Sequence, residues 1–347
     1  MTETQENSVA MTARPVALVL GATGGIGGAV AAKLLAKGYT VRAMHRNAGA
    51  QAAKTPQYEW IAGDAINRAD VMAAAKGAEL IVHAVNPPGY RNWGTLVLPM
   101  IDNTIAAAEA AGALILMPGT VYNFGPDTFD TITKDSPQRP VTVKGKIRVE
   151  LEQRLEAATR RGTRVIIVRA GDFFGPGAGN NWFAQAVVKP GRPVKAITIP
   201  SDTGIGHQWA YLPDVAETIM QLVARAGELP AFARFHMEGV WDHDGEQLAS
   251  AIRRVTGRTE LRSKRFAWWL LRLARPVMPL ARELLEMRYL WQRELHMRND
   301  RLVAFLGAEP HTPIDQAVRD TLSSMGCLGQ DPRNAPVIGS VSRGKPV

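Results

Sequence analysis

The chain has 347 residues, of which 46% are hydrophobic and 21% are charged, and this ordinary globular composition excludes a mainly disordered chain. Its formal net charge of +9 at pH 7 leaves acidic partners open, namely nucleic acid, a membrane surface or ligands that carry phosphate. The single cysteine, Cys327, excludes an intramolecular disulfide framework and a cysteine-rich zinc site. It is consistent with a reducing cytoplasm, which is the predicted location.

Neither end of the sequence has the pattern of a packed element. Residues 1–13 include Glu3 and Glu6 and no apolar stretch, so they predict a disordered leader and not a signal peptide. Residues 328–347 are rich in Gly, Pro, Ser and Arg and predict a flexible tail. The apolar runs in between are far shorter than the roughly 20 residues that cross a bilayer, so we expect no integral membrane insertion.

Residues 14–170 alternate short apolar runs with helical patterns. This alternation indicates βαβ units, and therefore a Rossmann-like α/β fold with a doubly wound parallel sheet between two layers of helices. The predicted strands are Val16–Leu20, Thr40–His45, Tyr58–Ala62, Leu80–Ala84, Leu114–Met117 and Arg164–Val168. The predicted helices are Gly25–Lys37, a segment around Ile101–Ala111, and Lys146–Arg161.

Residues 171–327 have a different pattern. Gly and Pro are frequent up to Gly191, and helical patterns dominate after it. We predict a smaller, mostly helical substrate-binding region that is interleaved with the core and is not a second sheet domain. Its predicted helices are Pro213–Ala226, Gly245–Thr256, Phe266–Arg293 with breaks at Pro276 and Pro279, and Pro313–Ser323.

The strongest functional signal is a glycine-rich turn between the first strand and the first helix. Glycines let such a turn bend tightly and let backbone N–H groups approach a pyrophosphate at the helix N-terminus. The strand, turn and helix context therefore predicts a dinucleotide site, against the alternative of a packing turn without a ligand. Its predicted contact residues are Gly21, Thr23, Gly24, Gly25, Ile26 and Gly27.

The residues after the second and third strands predict the choice of cofactor. An acidic residue after the second strand would bind the ribose 2′-hydroxyl of NAD, but this chain has Arg46, which can bind a 2′-phosphate. We therefore expect NADP in preference to NAD, unless Arg46 is only a solvated charge. Asp64 and Ala65 follow the third strand and Ala84 ends the fourth, and all three are predicted to contact the cofactor. The alternative for Asp64 is a turn or helix-capping role.

Further motifs make the sequence similar to the extended or atypical branch of the short-chain dehydrogenase/reductase superfamily, the NAD-dependent epimerase/dehydratase-like proteins. The resemblance covers roughly residues 15–325. The residues that carry it are Gly21, Gly24 and Gly27; Gly63-Asp64; Val121-Tyr122 with Gly125; Lys146 with Glu150; Arg169 with Phe174-Gly175-Pro176-Gly177; His207-Gln208-Trp209 before Asp214-Val215-Ala216; and Leu306-Gly307 with Pro310 and Pro313.

The resemblance implies an NAD(P)-dependent oxidoreductase or epimerase/dehydratase that acts on a small organic substrate by hydride transfer. The family uses a Ser or Thr, a Tyr, and a Lys four residues after the Tyr. If Lys146 is that Lys, Thr142 replaces the Tyr, and a threonine hydroxyl is too weak an acid for this role. We therefore predict Lys146 as the ribose-binding lysine, with Thr120 or Tyr122 carrying the proton, unless Tyr122 is only a packed loop tyrosine. Water or Asp172 remains an alternative.

The altered Tyr position also leaves a second function open. A catalytically degenerate NAD(P)-binding protein that senses redox state or regulates a partner would keep the glycine turn and need no proton relay. A homodimer also stays open. None of the seven histidines has a partner at the spacing of a helical metal motif, and no nucleic-acid-binding motif is present, so neither a metal nor a nucleic acid is expected.

Most of the net charge lies in one aromatic-rich segment. Residues 253–301 hold 13 Lys and Arg against 5 Asp and Glu, together with three tryptophans. Three interpretations follow from this pattern. The segment is a helical cover packed on the sheet with its Arg residues in water, a wall of the substrate pocket, or a peripheral membrane contact over residues 262–293.

Overall fold

A computed structural model describes residues 14–87, 92–129, 131–179 and 181–328. The predicted leader, and the predicted tail apart from Leu328, lie outside these residues. No helix in the described ranges is long and apolar enough to span a bilayer.

The six strands predicted in the first half are all present, with ends that differ by at most two residues. Most of them are short, apolar and bounded by turn residues, which is the usual pattern of strands buried in a parallel sheet, whereas Glu59–Ala62 at the sheet edge is partly exposed. The strands of the described residues are β1 (Val16–Leu20), β2 (Thr40–His45), β3 (Glu59–Ala62), β4 (Leu80–His83), β5 (Leu114–Gly119), β6 (Arg164–Arg169), β7 (Asp172–Phe174), β8 (Ile197–Ile199), β9 (His207–Tyr211), β10 (Phe232–His236), β11 (Val240–Asp242) and β12 (Ser263–Arg265).

The predicted helices are present, and the long basic segment is broken between Ala274 and Pro279, as its prolines predict. Three short helices, Ala48–Ala52, Arg68–Ala74 and Asp300–Leu306, were not predicted. The helices of the described residues are α1 (Gly25–Ala36), α2 (Ala48–Ala52), α3 (Arg68–Ala74), α4 (Trp93–Ala111), α5 (Val143–Thr159), α6 (Leu212–Ala224), α7 (Gln247–Thr256), α8 (Trp268–Ala274), α9 (Pro279–Glu286), α10 (Asp300–Leu306) and α11 (Ile314–Ser324).

The main sheet is parallel and has seven strands within the described residues, in the order β10-β6-β5-β4-β1-β2-β3. The strand order reverses between β1 and β4, and such a switch point is where ligands bind in open α/β sheets. Helices α1 and α6 pack on one face, and α3, α4 and α5 on the other. The predicted Rossmann-like α/β fold is thereby confirmed.

The second half of the chain contains strands that the sequence did not predict. Strand β10 extends the main sheet beside β6, while β11-β9-β7 and β12-β8 form two small sheets. All of these except β9 and β10 have only three residues, too few to show a period. Strand β9 is buried along its whole length and therefore shows no alternation.

One buried histidine should make stability depend on pH. His83, at the end of β4, binds the Thr104 hydroxyl at 2.8 Å, and burial together with the Arg148 charge lowers its pKa from 6.5 to about 3. Below pH 6.5 the unfolded chain binds a proton at this histidine that the folded chain excludes. The free energy of unfolding therefore decreases as the pH falls below 6.5. Between about pH 7 and about pH 5 the loss amounts to about 2 kcal/mol from this one group.

We therefore predict that His83→Gln flattens the pH dependence of the free energy of unfolding by about 2 kcal/mol over that interval. Urea unfolding at the two pH values measures it. Some pH dependence should remain, because burial also lowers the pKa of His236. An unchanged difference between the two pH values in His83→Gln would contradict the assignment to His83.

Candidate active site

A cavity of about 340 Å³ opens at the carboxyl ends of the central strands. Gly24 follows β1, Ala84 follows β4, Thr120 follows β5, and Gly171 follows β6, and all four line it. The cavity therefore lies at the switch point of the sheet, and its volume is that of a site for a small ligand.

The glycines of the predicted turn have different structural roles. Gly21 has φ +92°, and a Cβ there would lie 2.5 Å from the Ala84 carbonyl oxygen, so only glycine fits. A Cβ on Gly27 would collide with the Gly21 carbonyl oxygen, so this glycine allows the helix to pack against the turn. A Cβ on Gly24 would meet only that same oxygen, at 3.3 Å, and Gly24 lines the cavity. Helix α1 then begins at Gly25 with no side-chain cap, and such a start is suited to an anion.

The predicted cofactor residues divide into two groups. Gly24, Gly25, Ile26 and Ala84 line the cavity. The others are not among its lining residues: Gly21, Thr23 and Gly27 in the turn, and Arg46, Asp64 and Ala65 beyond the ends of β2 and β3.

Arg46 and Asp64 lie on the side of the switch point where β2 and β3 end. Arg46 is exposed two residues after Met44, which pairs with Leu20, the residue immediately before the glycine turn. Asp64 accepts the Ile66 N–H at 3.2 Å, so it makes the turn contact that was its alternative role.

The structure does not bring Lys146 into the cavity. Lys146 is exposed on α5, whereas Arg148 is buried, lines the cavity and donates to the Asn86 side-chain oxygen at 2.6 Å. Residues that are two positions apart on a helix point to opposite faces, so only one of Lys146 and Arg148 can face the site. The register assumed from Glu150 fails for the same reason. Glu150 pairs with Arg154 at the surface.

The residue four positions before Arg148 is Lys144, and not Thr142. Lys144 is buried and pairs with Glu283 and Glu286 of α9. Burial lowers its pKa, but hydrogen bonds and charge from the two glutamates outweigh this effect and raise it, so the ammonium stays charged. Thr142 instead caps α5 by accepting the Gly145 N–H at 3.0 Å. A lysine therefore stands at the position that the family gives to tyrosine, if Arg148 replaces the family lysine.

Thr120 and Tyr122, the two residues predicted as proton carriers, both line the cavity. Their loop is held by a chain of polar side chains. Thr120 donates to the Asn123 side-chain oxygen at 3.3 Å, Asn123 donates to Gln138 at 3.1 Å, and Gln138 donates to Glu152 at 2.9 Å. The chain ends at the buried ion pair of Glu152 with Arg169, at 2.7 Å. Hydrogen bonds that lead to residues of α5 and β6 thus hold the loop in place.

Asp172 lines the same cavity beyond the end of β6. Its carboxylate lies 2.7 Å from His207 Nε2. The imidazole is stacked on Trp291 with the ring centroids 3.7 Å apart, and its Nδ1 is buried without a hydrogen-bond partner among the described residues. The pair places a carboxylate of fixed orientation at the cavity wall.

The sequence did not reveal several cavity residues. Arg148 has its guanidinium carbon 5.0 Å from the centre of the Trp93 ring, a cation–π contact at the cavity wall. Leu284 of α9 also lines the cavity, so one residue of the basic segment forms part of its wall. Two features of the sequence indicate Arg148: it lies four residues before Glu152, and the apolar residues Ile147, Leu151 and Leu155 mark this side of α5 as the buried one.

The sequence matches the NAD dependent epimerase/dehydratase family over residues 17–232, which is more than half of the chain. The chain belongs to this family. The predicted resemblance to the extended short-chain dehydrogenase/reductases is therefore confirmed, and with it the coarse assignment to NAD(P)-dependent epimerase/dehydratase-like proteins.

Solved structures of the family share the fold. The UDP-N-acetylglucosamine 4-epimerase from Bacillus cereus has a TM-score of 0.68 and 16% identity, with 92% of this chain and 99% of that one covered. The UDP-glucuronic acid 4-epimerase from Bacillus cereus in complex with NAD has a TM-score of 0.68 and 13% identity, with 89% and 98% covered.

A curated relative is the uncharacterized protein y4nL from Sinorhizobium fredii. It is 28% identical over 183 residues, which is 47% of this chain and 51% of y4nL. The chain thus spans about half the length of the curated relative that it matches.

Proposed function

We propose that the protein is an NAD(P)-dependent enzyme that acts on a small organic substrate by hydride transfer at this cavity. The observation that carries the proposal is the glycine turn at the switch point, where Gly24 lines the cavity and α1 begins without a side-chain cap. A pyrophosphate fits this position because backbone N–H groups at a helix start bind anions, and Gly24 leaves the space free. A bound nicotinamide cofactor would accept or donate the hydride.

We further propose that NADP is preferred to NAD. Of the two arginines near the end of β2, Arg42 binds the Ala74 and Lys76 carbonyl oxygens, both at 2.8 Å, and therefore serves packing. Arg46 is exposed beyond the strand. A guanidinium at this position suits a 2′-phosphate, and no carboxylate follows β2 to bind a 2′-hydroxyl.

For proton transfer we propose the Tyr122 and Thr120 hydroxyls, with Arg148 as the cation of the site. All three line the cavity, and the polar chain to Glu152 holds the loop that carries the two hydroxyls. Asp172, oriented by His207, is the second candidate for the proton. Nucleotide sugars are the first substrate class to test, because UDP-sugar epimerases share the fold.

One observation favours the second function, a catalytically inactive NAD(P)-binding protein. Lys144 stands four residues before Arg148, and its ammonium is held by Glu283 and Glu286. A lysine held in this way does not replace a phenol that gives and takes a proton. Turnover of the bound cofactor with ketones, aldehydes and nucleotide sugars distinguishes the two functions.

We predict that Gly24→Val lowers the affinity for NADPH about tenfold or more, because the side chain fills the space of the pyrophosphate. Folding should be retained, since Gly24 has φ −88° and a Cβ there meets a single atom. Calorimetric titration with NADPH measures the affinity. Gly227→Val is the matched control, at an exposed glycine whose Cβ would meet nothing within 4 Å. An unchanged affinity in folded Gly24→Val would refute the site.

We predict that Arg46→Asp weakens NADPH binding about tenfold or more and changes NADH binding far less, since it removes charge-assisted hydrogen bonds to the 2′-phosphate. Titrations of both cofactors give the ratio. Arg160→Asp, at another exposed arginine, should leave both affinities as they are. Equal affinities of the wild type for NADPH and NADH would rule out the preference.

We predict that Arg148→Met weakens cofactor binding and lowers turnover, whereas Lys146→Met, on the opposite face of α5, changes neither.

We also predict that Tyr122→Phe or Thr120→Val lowers kcat by about 10²–10⁴, the range for a lost acid–base group, with cofactor affinity nearly unchanged. Steady-state kinetics and titration separate the two effects. If both hydroxyl variants kept the kcat of the wild type, neither hydroxyl would transfer the proton. Asp172 would then be the candidate, and Asp172→Asn would test it.

A further inference from the structure

Large apolar side chains are exposed on one side of the hairpin formed by α8 and α9. Ten large hydrophobic residues are exposed in the described parts of the chain, and six of them fall within residues 269–280. Isolated exposed apolar residues are normal, but a contiguous group of them marks a contact surface. We call these six residues the α8–α9 apolar face: Trp269, Leu270, Leu273, Val277, Met278 and Leu280.

The other side of the hairpin is anchored to the protein. Trp268 is buried, contacts Trp182 with ring centroids 5.7 Å apart and donates its ring N–H to the Pro200 carbonyl oxygen at 2.9 Å. On α9, Glu283 and Glu286 pair with Lys144. The outward direction of the apolar face is therefore fixed by buried contacts behind it.

The charged residues within the stretch that carries the face all have one sign. Residues 261–282 hold six Lys and Arg and no Asp or Glu. Arg272, Arg275 and Arg282 are exposed beside the apolar residues. A surface that combines exposed Trp and Leu with cations is complementary to the headgroup region of an anionic bilayer.

We propose that the α8–α9 apolar face docks the protein onto membranes that contain anionic phospholipids. The apolar side chains enter the boundary between headgroups and acyl chains, and the arginines bind lipid phosphates while their aliphatic stems stay at the interface. Helices α8 and α9 have 7 and 8 residues, so they lie on the bilayer and do not cross it.

A second copy of the chain fits this face less well. A two-fold interface brings the same patch of both copies together, so the cations of residues 261–282 would meet their own counterparts. Like charges facing each other oppose association, and this stretch has no carboxylate to compensate them. The proposal is independent of the enzymatic function, since it uses no residue of the proton relay or the glycine turn.

The test is co-sedimentation of the full chain with vesicles of phosphatidylcholine alone, and of phosphatidylcholine and phosphatidylglycerol in equal amounts. We expect binding to the anionic vesicles, weakened by salt. Leu273→Glu/Val277→Glu should reduce the partition coefficient about tenfold or more, and Arg272→Gln/Arg275→Gln about fivefold per charge removed. All four positions are exposed, so the variants should fold like the wild type, which thermal unfolding checks.

Matched controls use the same substitutions elsewhere on the surface. Val303→Glu changes an exposed valine on α10, and Arg160→Gln/Arg319→Gln removes two exposed charges, and both should bind like the wild type. No sedimentation with anionic vesicles, or equal binding by Leu273→Glu/Val277→Glu, would overturn the proposal. So would a lipid-free dimer, seen by analytical ultracentrifugation, that this double variant converts to monomers, because the face would then contact a second copy.

Discussion

The buried ion pair between Glu152 and Arg169 determines the geometry of the proposed site. Glu152 belongs to α5 and Arg169 ends β6, and their side chains are only 4% and 1% exposed. Two charges in such a position stay paired, since removing one partner of a buried pair costs about 3–5 kcal/mol. Together with the buried residues Ile147, Leu151 and Leu155, the pair fixes the rotation of α5 against the sheet. Through Gln138 and Asn123 it also positions the loop of Thr120.

The rotation of α5 decides which of its basic residues reaches the cavity. Because Glu152 faces the sheet, Arg148 and Lys144, four and eight residues earlier, lie on the same side of the helix. Lys146 and Glu150 consequently face away. The buried ion pair and the apolar side of α5 together place Arg148 at the cavity and turn Lys144 toward the glutamates of α9.

This selection explains how far the sequence could predict the site. The strands and the glycine turn depend on local patterns, which the sequence contains, and they were predicted nearly to the residue. The facing side of α5 depends on Arg169, which follows Glu152 by 17 positions and joins it only through the fold. Lys144, Lys146 and Arg148 are all basic, and Glu150 and Glu152 are both acidic, so the charged residues alone fit either register. The apolar residues Ile147, Leu151 and Leu155 are the pattern that marks the buried side of the helix.

Helix α9 shows the same dependence on one buried contact. Its two carboxylates face inward to Lys144, which needs them because burial disfavours its charge, while Arg282 and the apolar face point outward. If α9 left the protein, Lys144 would lose the two carboxylates that stabilise its charge. The two ion pairs of Lys144 therefore help to hold α9 in place, with Leu284 at the cavity wall and the α8–α9 apolar face on the exposed side.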